Sequence, residues 1–218
     1  KDSPESATWY GDGRYNHLLN NRSLTWILKS QEKTILALKK LNAINRNKLL
    51  SEDQLDYDLY KLNLERSIKG FPFHSYLKPV NQLGGVHIGF PNMVDLMPFK
   101  TEKDYQNYLS RLEQIPTAIN QTIDVMKQGI KEGMVPPRVT LESVPGQIKK
   151  QFEFISITDS PFFAPFQENS NDIKNWQEIV EKGTDLIQNG IFKSYQKFHH
   201  FFVDEYLPVT RNDIAVSS

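Results

Sequence analysis

The run Asn81-Gln82-Leu83-Gly84-Gly85, with His87 two residues further on, combines side chains that can handle a peptide backbone. Two adjacent glycines let another main chain come close, and the amides of Asn81 and Gln82 both donate and accept hydrogen bonds. Such a loop can grip an extended peptide. The same residues also suit a buried loop whose amides satisfy its own backbone. His74 and His87 flank the run; either can line a site, or simply pack beside Phe71 and Phe73. The glycine spacing does not match a phosphate-binding loop, and no Lys-Ser/Thr pair follows.

Zinc hydrolysis asks for different residues. Two histidines must lie four apart on one helical face, with a glutamate to activate the metal-bound water. The five histidines are His17, His74, His87, His199 and His200. None precedes a glutamate and no two are four apart, so the chain has no such motif and no catalytic or metal residue is assigned to it. His200 and Asp204 can share a helical face, with His199 and Glu205 nearby, but two ligands rarely hold an ion and a helix-surface hydrogen bond or ion pair is the favoured reading. Asp53, Asp56 and Asp58 lack the glycine and distal glutamate of a calcium loop. At a helix start they favour the dipole instead. Phe162, Phe163 and Phe166 can form an apolar subsite or a plug between helices, and Phe192, Tyr195, Phe198 and Phe202 repeat at the spacing of a core-facing stripe.

Lys plus Arg and Asp plus Glu each number 26, a balance that gives no long-range pull on nucleic acid or an anionic membrane. With 39% hydrophobic and 24% charged residues the chain reads as globular. The absence of cysteine excludes disulfides and thiolate chemistry. No segment is long and apolar enough to span a bilayer. Lys1 at the start and the plain Ser217-Ser218 ending read as cut points.

The elements that must carry these residues are helices. Ser23 caps a helix through Asn45, with Leu24, Ile27, Leu28, Ile35, Leu38 and Leu41 on its apolar face. Ser51 and Gln54 suggest a capping box for a second helix, with Leu55, Leu59, Leu62 and Ile68 as its apolar face and Gly70 at its end. The short link predicts an antiparallel pair. Residues 71–100 mix prolines, glycines and apolar residues, and read as a long ordered loop with a short extended piece at Val86–Phe90. Thr101 and Asp104 cap a third helix, which Pro116 breaks or kinks before it resumes to Gly133. A further helix near Val139–Ile157 is disturbed by Pro145-Gly146. Ser170 opens another, Asn189-Gly190 interrupts it, and a final helix runs from about Ile191 to Tyr206. The fold class is therefore all-α, with residues 1–218 forming a single helical region.

Several blocks, in order, resemble a bacterial family known as domain of unknown function 885. They are Asn81-Gln82-Leu83-Gly84-Gly85, Asp95-Leu96-Met97-Pro98-Phe99, Leu55-Asp56-Tyr57-Asp58-Leu59, Thr101-Glu102-Lys103-Asp104-Tyr105, Gly129 through Pro136-Pro137-Arg138-Val139, and Asp204-Glu205-Tyr206-Leu207-Pro208. The likeness runs from about Ser3 to Ala215. It implies a helical, gluzincin-like zinc metallopeptidase whose metal-binding helix follows Ser218. This chain would then be its N-terminal, non-catalytic portion, walling the substrate cleft, with Asn81, Gln82, Gly84, Gly85 and His87 near a peptide substrate. Zinc is expected in the intact parent and no cofactor in this chain. The implied partner is the C-terminal remainder of the same polypeptide. The implied location is the bacterial envelope or periplasm, as a lipoprotein anchored upstream, with the cytoplasm as the alternative. The other reading of the residues is a stand-alone helical module that binds a peptide or partner without catalysis.

Overall fold

The structure, a computed structural model, describes residues 2–167 and 172–214. Among them there are helices and turns but no β-strand; only two isolated bridges occur, Asn81 with Gly84 and Pro137 with Arg211. The all-α expectation holds. The expected start at Ser170 and the ending at Ser217-Ser218 lie outside the described residues.

The organising element is α5 (Glu102–Lys131). Thr101 accepts from the Asp104 amide while the Asp104 carboxylate accepts from the Thr101 amide, so the expected capping box is present. Of the expected break or kink at Pro116, the break does not occur: α5 runs on through the proline. Its apolar stripe, including Leu112, Ile115 and Ile119, sits in the centre of the core. Packing on both sides of Pro116 outweighs the one backbone hydrogen bond that proline removes. Gly133, at φ 68, then turns the chain out of the helix.

Against α5 lies a second long helical stretch. It begins as α7 (Trp176–Asp185), passes through a π-helical segment (Leu186–Phe192), continues as α8 (Lys193–His200) and ends in another π segment (Phe201–Tyr206). Asn189-Gly190 does not interrupt it; the π segment absorbs the dipeptide. Gly190 faces Pro116 of α5, where a Cβ would be 3.5 Å from the proline ring. Tyr195, Phe198 and Phe202 are fully buried, as the aromatic stripe predicts, while Phe192 is only partly covered. Phe162 and Phe166 fill the space between α5 and this stretch, and the Tyr108 hydroxyl donates to the Phe162 carbonyl at 2.8 Å. The phenylalanine group is thus a plug.

The shorter elements are α1 (Pro4–Trp9), α4 (Val86–Met93) and α6 (Val144–Lys149). The expected extended piece at Val86–Phe90 is helical instead. Gly85 enters α4 at φ 136, and Pro91 falls late enough that only one hydrogen bond is lost. Pro145 opens α6 rather than disturbing it, because proline near a helix start gives up an amide that has no partner there.

The predicted antiparallel pair is α2 (Leu24–Asn42) and α3 (Ser51–Gly70). Ser23 caps α2 through the Trp26 amide, and α3 ends at Gly70. The capping box at Ser51 does not form. Ser51 is already helical, and Gln54 instead donates to the Leu49 carbonyl and accepts from Arg46. The apolar face is also reversed. A small separate core holds Leu41, Tyr57 and Leu64, whereas Leu55, Leu59 and Leu62 are 61%, 50% and 41% exposed. Leu28 and Ile35 of α2 are exposed as well.

Candidate functional site

The loop after Leu77 is built by its own hydrogen bonds. The Asn81 side chain accepts from the Leu83 amide at 2.8 Å, and the Asn81 amide donates to the Gly84 carbonyl at 2.9 Å. The Gln82 amide donates to the Thr140 carbonyl, tying the loop to the turn before α6. Gln147 on α6 completes the brace: its amide nitrogen donates to the Gln82 carbonyl at 3.1 Å, and its oxygen meets His87 Nε2 at 3.1 Å. Gly85 packs against the His87 ring and Val80 so closely that a Cβ would sit 3.0 Å and 3.2 Å from them.

These residues face different ways. Gly85 and Val86 line a cleft of about 390 Å³, with Tyr76, Pro79, Ile27 and Arg22 on its other walls. Asn81 and Gln82 line a separate cleft of about 380 Å³ against Pro136, Pro137 and Arg211. Gly84 lies between them at the turn, and His87 is buried. The α4 N-terminus at Gly85 has no side-chain cap, so its first amides are not satisfied by one. Where Gly85 and Val86 border the first cleft, such amides suit a carbonyl or carboxylate oxygen of a bound chain.

The remaining histidines do not converge. His74, in a left-handed conformation, pairs with Glu132 at 2.7 Å. His199 packs edge-on to Phe152, and His200 borders a shallow hollow shared with Asp204, Lys127 and Lys197. Two lysines beside the His200–Asp204 pair oppose a cation there. Among the described residues no three His, Asp or Glu side chains come together as a metal site. The pair of histidines four apart that a zincin centre needs does not occur in the sequence. Of the acidic cluster, Asp58 is held by Arg46 through two contacts of 2.6 and 2.7 Å.

Burial pushes the His87 pKa below its ordinary value, partly opposed by its hydrogen bond to Gln147. The His199 pKa is lowered by burial and by neighbouring His200. In the unfolded chain both take up a proton near pH 6.5, before they do so in the fold. Stability is therefore unaffected well above that pH and declines as the pH falls through it toward the lowered folded values. We expect urea midpoints to drop between about pH 7 and pH 5.5. His87→Gln should make that slope shallower; an unchanged slope would show that His87 is not kept neutral by burial.

Two residues that shape the clefts lie outside the sequence motif. Gln147 gave no signal, because its partners are 60 and 65 positions away. Arg111 did give one: it occupies an apolar position of α5, between Tyr108 and Ile115, and is fully buried.

An all-helical body built on α5, with an arm formed by α2 and α3 and clefts beside α4, is the class of protein that the fold defines. Residues 4–215 match the family described as bacterial protein of unknown function (DUF885), and the chain belongs to it. No curated protein matches the chain by sequence.

Proposed function

We propose that this chain is the non-catalytic helical portion of a zinc-dependent peptidase, in which it walls a peptide-binding cleft. The observation that carries the reading is the unpartnered apolar row on the arm. Leu55, Leu59 and Leu62 recur at helical spacing on α3 yet stay exposed, on the side away from buried Tyr57 and Leu64. A row of this kind marks a surface made to be covered, and the C-terminal remainder of the same polypeptide is the occupant that the family resemblance suggests. Ile27, at the start of the same arm, lines the cleft at Gly85 and Val86. Gly85 and the uncapped start of α4 would meet the substrate backbone. Asn81, Gln82 and Gly84 would hold the loop in shape, and His87 with Gln147 would brace it from behind. The bacterial envelope, reached by a lipid anchor upstream, is the proposed location.

A second reading is supported by the closed core around α5, where Ile115, Ile119, Ile187 and Ile191 have no exposure. On that reading the chain folds alone and binds a peptide or partner without catalysis.

The test is elemental analysis of the product of the whole reading frame, purified without chelator, together with a peptide-hydrolysis assay. About one zinc per chain is expected. Gly85→Ala is expected to lower hydrolysis at unchanged zinc content, since it strains a backbone at φ 136 that borders the cleft. A metal-free, inactive product would overturn the peptidase reading; peptide binding by that product would establish the second.

A further inference from the structure

A different cleft, of about 430 Å³, is lined by residues of α1 and α4 together with Asn20 and Arg111. Its walls include Trp9, Phe90, Met93 and Leu96, with Glu5, Asn20 and Arg111 among its polar groups. Its volume falls in the range of small-molecule sites, about 300–1,000 Å³. Arg111 is wholly buried. Its Nε donates to the Leu18 carbonyl at 3.0 Å, and its Nη2 donates to the Thr8 hydroxyl at 2.6 Å and to the Tyr15 carbonyl at 3.5 Å. Its Nη1 is buried and has no partner.

The charge count decides what is missing. The nearest carboxylate, Glu5, is already engaged: Arg22 donates to its two oxygens at 2.8 and 2.7 Å, and the Asn20 amide donates at 2.9 Å. Glu5 and Arg22 neutralise one another, which leaves the Arg111 guanidinium with neutral partners only. Burial lowers its pKa to about 10, partly opposed by Glu5, so it remains cationic at neutral pH. A buried charge without a counter-ion is costly, and a buried donor without an acceptor adds to the cost. One carboxylate in the cleft supplies the counter-charge directly, and supplies the acceptor once a small side-chain shift uncovers Nη1. The exposed Trp9 and Leu96 walls suit an apolar or aromatic group attached to it.

We infer that this cleft binds a carboxylate carrying an apolar or aromatic substituent, with Arg111 as the cationic anchor. Arg111 lines the cleft as a buried positive charge, where the low local dielectric strengthens its attraction for an anion. Two sources share this chemistry: a free organic acid and the C-terminal residue of a peptide. The site is separate from the cleft at Gly85, and the inference does not depend on a peptidase function.

The experiment is calorimetric titration of the protein with 3-phenylpropionate and with 3-phenylpropionamide, its neutral counterpart. A tripeptide ending in phenylalanine follows, as free acid and as amide. Trp9, 67% exposed in the cleft wall, provides a fluorescence readout. The acids are expected to bind at least about tenfold tighter than the amides, the weight of one charge-assisted hydrogen bond. Tighter binding of the peptide acid identifies a chain terminus as the natural source; tighter binding of phenylpropionate identifies a free acid. Arg111→Lys should weaken the acids about tenfold or more, but that change also touches the contacts to Thr8 and Leu18. Gly89→Leu keeps the interpretation clean. Gly89 lines the cleft on α4, and a Cβ there meets nothing within 4 Å, so a leucine at this position adds bulk at the cleft wall. It should abolish acid binding with the melting temperature unchanged or raised. Equal binding of acid and amide, no binding of either at about 10 mM, or wild-type binding by Gly89→Leu would each overturn the inference.

Discussion

Phe162→Ala is expected to lower stability by about 3–5 kcal/mol, the usual cost of emptying an aromatic site in a core that cannot collapse around it. For a chain of this size that is a fall of roughly 6–20 °C in melting temperature. Phe162 has no exposure and packs 6.2 Å, centroid to centroid, from the Tyr195 ring. Its side chain belongs to the main core and lies against the Tyr195 ring, so its loss opens a space inside that core. The Phe162 carbonyl remains to accept the Tyr108 hydroxyl, and the loss is therefore one of packing. Tyr108→Phe isolates the other contribution and is expected to cost about 1–3 kcal/mol, because it strands a buried carbonyl. Phe73, 69% exposed, is the control: Phe73→Ala should stay within about 0.5 kcal/mol of the parent. A Phe162→Ala protein that melts like the Phe73→Ala control would show that the phenylalanine group is not a plug.

The second large effect reverses a familiar sign. Replacing a helical glycine by alanine ordinarily stabilises a protein by about 0.5–1 kcal/mol. Gly183→Ala, inside α7, is expected to destabilise by about 1–3 kcal/mol, the cost of overpacking a filled core. A Cβ at Gly183 would lie 2.5 and 2.6 Å from carbons of the Phe166 ring. That ring cannot swing away, since it is buried among Phe163, Tyr108 and Trp176. Gly146→Ala in α6, where a Cβ meets nothing, should show the ordinary gain. Combining Gly183→Ala with Phe166→Leu should recover much of the loss, because the smaller side chain vacates the space. Denaturant titration of the four proteins gives the coupling directly; a Gly183→Ala protein at least as stable as the parent would refute the contact.

Helix positions were largely legible along the chain, because they depend on local chemistry. Ser23 and the Thr101–Asp104 box fixed two helix starts, and Gly70 and Gly133 fixed two ends. The aromatic stripe was legible for the same reason: Tyr195, Phe198 and Phe202 recur at the helical period and are fully buried. Local signals failed where packing competed with them. Pro116 and Asn189-Gly190 are helix-breaking residues, yet the two helices containing them are continuous where they press together. On α3, periodicity found an apolar row but could not say whether it is covered. Leu55, Leu59 and Leu62 proved exposed, and Tyr57 and Leu64 took the interior.

The site divided along the same line. The Asn81-to-His87 motif was visible as a cluster of polar and glycine residues, but its neighbours in sequence do not share one surface. Gly85 borders one cleft, Asn81 and Gln82 border another, and His87 is turned inward to Gln147. By itself, then, the sequence determined an all-helical chain, its principal caps and aromatic stripe, its family and its lack of a zincin motif. These follow from residue type and spacing over a few turns. Tertiary structure alone decided that two proline- or glycine-bearing helices stay intact, that the arm leaves an apolar row open, and that Arg111 keeps one donor unsatisfied. Each of those outcomes depends on which distant segment fills the adjoining space, a quantity that no local pattern encodes.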